Sequence, residues 1–209
     1  MSTMSTAPSS TTTTGTGSPR TTPTRERILE AATELFYAHG IRAVSADKII
    51  ERAGITKVTF YRHFRAKDDL VVAYLESQAA RERGALESIR ESADGDAEAF
   101  LSFANLVGTV TCQPGFRGCA FINAAAEYSD PDSAVRKVVA DHRAWYRDMF
   151  ATMLGRIGVT DTESAADELL MLRDGAMVAG YVGDASHVGR ALAAGILAVA
   201  STHGAELTP

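Results

Sequence analysis

Apolar residues recur along this chain at the spacing of a helix, and no stretch alternates for long with the period of two that marks a strand. Ile28, Ala32, Leu35 and Phe36 share one helical face, Leu29 extends it, and Gly40 supplies a stop after His39. Ser45 is placed to cap a second, short helix that turns Ala46, Ile49, Ile50 and Ala53 inward, and Gly54 ends it. Thr56 caps a third short helix, whose predicted buried positions are Val58, the ring body of Tyr61, and Phe64. From Lys67 the helices lengthen. Runs are predicted from Lys67 to Ser92 and from Asp96 to about Cys112, before Pro114 and Gly115 break the chain. Gly118 to Tyr128 reads as a short apolar helix. Asp130-Pro131 opens a helix to about Ile157, and Thr160 with Glu163 makes a capping box for the next, which ends near Gly183. Asp184 caps a last helix to about Thr202. The predicted fold class is all-α: three short N-terminal helices, then a bundle of longer ones.

Composition changes this picture first at the N-terminus. Residues 1–24 hold fifteen Ser or Thr with Gly and Pro, too few apolar groups to offset the entropy of ordering, so they are predicted to be a disordered tail. Arg20 and Arg25 would let the end of that tail touch a DNA minor groove. Elsewhere the longest apolar run, Ala191 to Ala200, is half of the roughly 20 residues a membrane span needs, so no membrane partner is expected. Two cysteines, Cys112 and Cys119, are too few for a disulfide scaffold and fit a reducing cytoplasm. The histidines are scattered and give no metal-ligand spacing, so neither a metal nor a cofactor is expected. No phosphate loop follows a strand and no nucleophile elbow occurs, which argues against an enzyme.

Charge changes it most. The whole chain carries a formal net charge of −5, yet residues 42–67 hold seven Lys or Arg against Asp47 and Glu51, a local +5. From residue 71 onward the balance is −8. One part of the chain is suited to a polyanion and another to something else. The cations lie on the three short helices, where a tight turn between the second and third makes a helix-turn-helix whose second member enters the DNA major groove. Ser45 and Thr56 sit at the helix starts; Lys57 and Thr59, on the first turn of the third helix, reach base edges. Arg62 and His63 lie further along, toward phosphates or bases, Tyr61 presents its hydroxyl to a phosphate, and Lys67 is placed to grip a phosphate at the start of the fourth helix.

The segment RILEAATELFYAHG, the following SADKIIERAGITKVTFYRHF and the FRAKDDL that opens the long fourth helix together resemble the DNA-binding region of the tetracycline-repressor (TetR) family of bacterial regulators. One departure is Thr59, where many members carry Gly or Ser; it bears on base preference and not on fold. The later FRGCAFINAAAEYSDPDSAVR and LRDGAMVAGY are similar to one branch of that family. The resemblance implies a homodimer with one reading head per subunit, binding a palindromic DNA operator, and a helical domain that takes a small-molecule effector. On this reading residues 1–24 are the tail, 25–70 the helix-turn-helix domain, and 71–209 the helical effector-binding and dimerisation domain.

Within that last part, Phe100, Phe103, Val107, Phe121, Trp145, Met149, Met177 and Tyr181 are candidate lining for a mostly apolar pocket, with Leu106 beside them. Cys119, Asn123 and Glu127 recur four apart and form a polar stripe on an apolar helix. Glu127 is expected either to pair with Arg143 or His142 or to meet a cationic or hydrogen-bonding ligand. The last two helices are rich in small residues, and Gly175, Ala179, Gly183, Ala191, Gly195 and Ala198 are candidate dimer contacts, the face where the resemblance also puts the dimer. An alternative control, oxidation of Cys112 or Cys119 with Arg117 nearby to stabilise a thiolate, or a protein partner, stays open at this level.

Overall fold

The computed structural model describes residues 23–205, and every regular element among them is helical. The three short helices are α1 (Thr24–His39), α2 (Ala46–Ala53) and α3 (Lys57–His63). The long ones are α4 (Lys67–Ser92), α5 (Asp96–Thr111), α7 (Ala134–Arg156), α8 (Thr162–Val182) and α9 (Val188–Thr202), with the short α6 (Ala120–Glu127) between α5 and α7. The expected tail lies almost wholly outside the described residues; its last member, Thr24, already belongs to α1.

Local chemistry sets the head. The Ser45 hydroxyl accepts the Lys48 amide and the Thr56 hydroxyl accepts the Thr59 amide, so both predicted caps are in place. Gly54 ends α2 in the left-handed region, at φ 62°, and turns the chain into α3. The face that α3 buries differs from the predicted one. Phe60 and Phe64, four apart, fill the head's core, while Val58 is 80 % exposed and Tyr61 lays only a ring edge on Phe60. Two turns are too short for spacing alone to decide which side faces in.

α4 joins the two halves. At 1.5 Å per residue its 26 residues span about 39 Å. Its first turns bury Leu70, Val71 and Tyr74, the last edge-on to Phe36 of α1, and its far end buries Leu86 in the body. The expected boundary after residue 70 falls within α4, whose buried residues belong to one continuous core.

In the body α7 packs on α8, α5 on α9, and α8 on α9, with α4 against α7. Three helix starts differ from expectation. Ser133, not Asp130, caps α7, because the Asp130 carboxylate is taken by the Asp132 amide in the preceding turn. Asp161 caps α8 in place of the Thr160 box. Asp184 caps a single 3-10 turn, Ala185–His187, and α9 starts after it.

Two glycines set how closely α5 and α9 approach. A Cβ on Gly108 would stand 2.9 Å from the Gly189 Cα, nearer than side-chain carbons come to backbone. Gly108→Ala should therefore destabilise the protein by about 1–3 kcal/mol in urea titration. Gly84→Ala, inside α4 with nothing within 4 Å of the new carbon, should stabilise it by about 0.5–1 kcal/mol.

Candidate nucleic-acid interface and cavities of the body

The exposed side of α3 carries Lys57, Val58, Tyr61 and Arg62, one and four residues apart, as a continuous strip. The Lys57 ammonium lies 3.5 Å from the Asp47 carboxylate with both groups well exposed, a pairing that water and a phosphate readily displace. The Thr59 hydroxyl is 2.9 Å from that of Thr56, so the departure at this position is tied to the helix cap. His63 is half-buried and Ser45 exposed. Val58 was missed by spacing, yet an exposed methyl pair beside Lys57 is suited to a thymine methyl in the major groove.

Lys67 is turned the other way. Its ammonium donates to the Ile41 carbonyl at 2.5 Å and lies over the Phe36 ring, and burial lowers its pKa against the raising effect of Asp68 and Glu127. These contacts brace the start of α4 against the α1–α2 connection. Arg25, expected to work with the tail, lies over the Phe64 ring.

That connection is also held from the body. The Glu127 carboxylate accepts the Ile41 amide at 2.9 Å and the Arg42 amide at 2.6 Å, rather than pairing with Arg143 or His142. Tyr37 of α1 donates to the Gly118 carbonyl and accepts the Arg117 amide, and the Arg117 guanidinium donates to the Ala38 carbonyl. Tyr128 donates to Asp68 in the first turn of α4. Asn123 spends its amide on the Arg117 carbonyl. Around these contacts lies a cavity of about 260 Å³ bordered by Tyr37, Arg117, Asn123, Glu127 and Tyr181.

Deeper in the body, Arg173 is almost wholly buried. It donates to Glu82, to Asp174 and to the Cys119 sulfur, and stacks on the Tyr146 ring. Glu82 also accepts the Tyr146 hydroxyl and lies 3.1 Å from His142 Nε2. Burial pushes the Glu82 carboxyl up, but the hydrogen bond to His142 and the Arg173 charge outweigh it and bring it below its ordinary value. Burial raises the Tyr146 phenol. Neither Glu82 nor Arg173 was singled out from the sequence. The available signal was the position of Arg173 on the apolar face of α8, four after Leu169 and four before Met177.

The predicted lining residues do not share one pocket. Phe103, Val107 and Met177 border a cavity of about 200 Å³ with Glu82, Tyr146 and Arg173. Phe121 borders another of about 250 Å³ between α6, α7 and α8, which shares the Tyr146–Arg173 wall. Trp145 and Met149 border a third of about 230 Å³ beside Arg90. Asn123, Glu127 and Tyr181 belong to the cavity at the head, and Phe100 packs on Phe150 in the core. Aromatic volume at helical spacing reports burial, and whether a buried ring meets a cavity depends on tertiary packing.

On α8 and α9, Gly175, Ala179 and Ala191 line an open apolar groove of about 350 Å³ with Met171 and Leu172. Met171 and Val182 are 64 % and 74 % exposed, and Ala198 continues an exposed small-residue strip on α9. Gly195 serves α8–α9 packing within the chain, since a Cβ there would meet Leu172 at 3.0 Å, and Gly183 is the C-cap of α8. Cys112 is exposed and Cys119 buried, and the guanidinium beside Cys119 is that of Arg173 and not Arg117. Among the described residues no group of three or more His, Cys, Asp or Glu is placed to hold a metal, and no helix is long and apolar enough to cross a membrane.

The Glu82 cluster makes stability depend on pH. Its folded value lies below the unfolded 4.5, so the unfolded chain takes up the proton first as pH falls. The contribution is fully present above that value and is lost as pH falls through the folded one. Glu82→Gln should cost about 1–3 kcal/mol at neutral pH. The gap between wild type and variant, followed by denaturant titration, should shrink only in acid below pH 4.5.

Residues 28–74 match the family model described as bacterial regulatory proteins, tetR family. The chain is 42 % identical over 74 residues to the uncharacterized HTH-type transcriptional regulator YvkB of Bacillus subtilis, a match covering 35 % of this chain and 37 % of that protein. It is 26 % identical over 118 residues to the HTH-type transcriptional repressor NemR of Escherichia coli, covering 56 % and 59 %. Both matches span less than two thirds of those relatives' length. The structure of SCO4454, a TetR-family transcriptional regulator from Streptomyces coelicolor, aligns over 86 % of this chain and 95 % of its own, with TM-score 0.82 and 39 % identity. This chain belongs to the TetR family of transcriptional regulators, a family of DNA-binding proteins and not of enzymes.

Proposed function

We propose that this chain is a repressor that binds a palindromic operator as a homodimer and leaves it when a small molecule fills the body. The reading is carried by one observation: an exposed strip of Lys57, Val58, Tyr61 and Arg62 on the second helix of a helix-turn-helix, in a segment of local charge +5 within an acidic chain. Two such helices enter successive major grooves roughly 34–36 Å apart. Lys57, Val58 and Thr59 face base edges; Tyr61, Arg62 and His63 face the backbone, and Ser45 and Thr56 offer their helix starts to phosphate. Lys67 positions this surface through Ile41 and does not touch DNA. The exposed small-residue faces of α8 and α9 form the two-fold contact, where close approach of helices is cheap. The DNA-binding unit ends within α4, and the rest of the chain serves the effector and the dimer. The effector occupies the cavities on either side of the Tyr146–Arg173 wall and favours a head spacing that does not fit the operator, because it acts only by its differential affinity for the two states. The working location is the cytoplasm, on the nucleoid.

Retardation of operator DNA selected from genomic fragments tests this. Arg62→Ala should weaken binding to operator and to unrelated DNA alike and lower the salt slope by about 1. Val58→Ser should lose about 1–2 kcal/mol on the operator and little on unrelated DNA. Wild-type affinity in both variants at several salt concentrations would contradict the assignment of this strip.

A further inference from the structure

We propose that the cavity between α6, α7 and α8 is a binding site for a small organic acid, its carboxylate held by Arg136 and Arg143 and its compact apolar body lying against Phe121 and Val139. The inference rests on the reading of the chain as an effector-responsive regulator and adds the effector's chemistry. The cavity, about 250 Å³, is at the small end for ligand sites, which limits the occupant to a compact molecule. Its lining includes three arginines, Arg136, Arg143 and Arg173, together with His142, and no acidic residue.

The acids behind that lining are already engaged. Asp174 accepts from both Arg143 and Arg173, and Glu82 accepts from Arg173 and Tyr146 and faces His142. Three guanidinium groups against two carboxylates leave one positive charge unmatched. That charge is on Arg136, whose partner is a neutral group, the Tyr128 carbonyl at 3.1 Å. His142 is 2 % exposed, and its Nδ1 has no hydrogen-bond partner. A cation would be repelled here, and a purely apolar guest would leave the Arg136 charge unmatched. A carboxylate matches a guanidinium fork in charge and in geometry.

The same arginine links the site to the head. Arg136 holds Tyr128, Tyr128 holds Asp68 at the start of α4, and the neighbouring Glu127 holds the Ile41 and Arg42 amides. A carboxylate that draws Arg136 into the cavity loosens the first of these contacts, and the head is the next element along the path.

Trp145 is the sole tryptophan and its ring lies 5.9 Å from that of His142, so its emission reports on the site. Full-length protein is titrated with benzoate and, as a neutral isostere, benzamide, and separately with hexanoate. Benzoate should give a saturable change with a Kd about tenfold or more below that for benzamide. Arg136→Gln should remove that discrimination, and Ala125→Phe, which adds a ring at a residue of α6 that lines the cavity, should abolish the response while retaining wild-type retardation of operator DNA. Equal affinity for benzoate and benzamide, or no saturable response to either acid, would overturn the site. Retardation of DNA by the wild type is read in parallel: its absence counts against the regulator reading, while the emission titration alone decides the site.

Discussion

The Glu127 carboxylate, accepting two consecutive backbone amides of the α1–α2 connection, is the contact on which the arrangement of head and body depends. The Ile41 amide is part-buried and must find a partner, which the body supplies, while the Arg42 bond is exposed. A carboxylate in the last turn of α6 sits among outward-pointing carbonyl oxygens, where the helix field disfavours it. Two charge-assisted hydrogen bonds, worth about 1–3 kcal/mol each before solvent discounts them, reverse that preference. The residue is thus held where its own helix would not place it, by a partner in the other half of the molecule.

Lys67 completes the brace from the far side. Its ammonium takes the Ile41 carbonyl while Glu127 takes the Ile41 amide, so both polar groups of one residue are committed to the body and to α4. The core anchors of α3 are Phe60 and Phe64, and Lys57 and Arg62 face outward. Division of labour between the aromatics and the cations explains how an acidic protein presents a basic face.

Much of this was legible in the chain. Ser45 and Thr56 announced two caps, glycines at 40 and 54 announced two stops, and the all-helical architecture followed from the period of the apolar residues. The cation cluster and the helix-turn-helix spacing located the reading head. What was not legible depends on contacts distant in sequence. Glu127 and Ile41 are 86 residues apart, and Arg173 and Glu82 are 91 apart. A polar residue on an apolar face shows that a partner exists without showing which one. Val58 was placed inside, where the structure has Phe60, because a seven-residue helix carries too few turns to fix its inward side. The charge and position of Lys67 pointed to DNA and gave no sign of the Ile41 carbonyl that its ammonium meets.

The body positions the head through Glu127, and operator affinity of a Glu127→Ala protein measures this directly. The account predicts a folded dimer whose affinity for operator falls about tenfold, by the same factor at every salt concentration, because orientation is lost and no phosphate contact is. Operator affinity equal to wild type in that variant would contradict it.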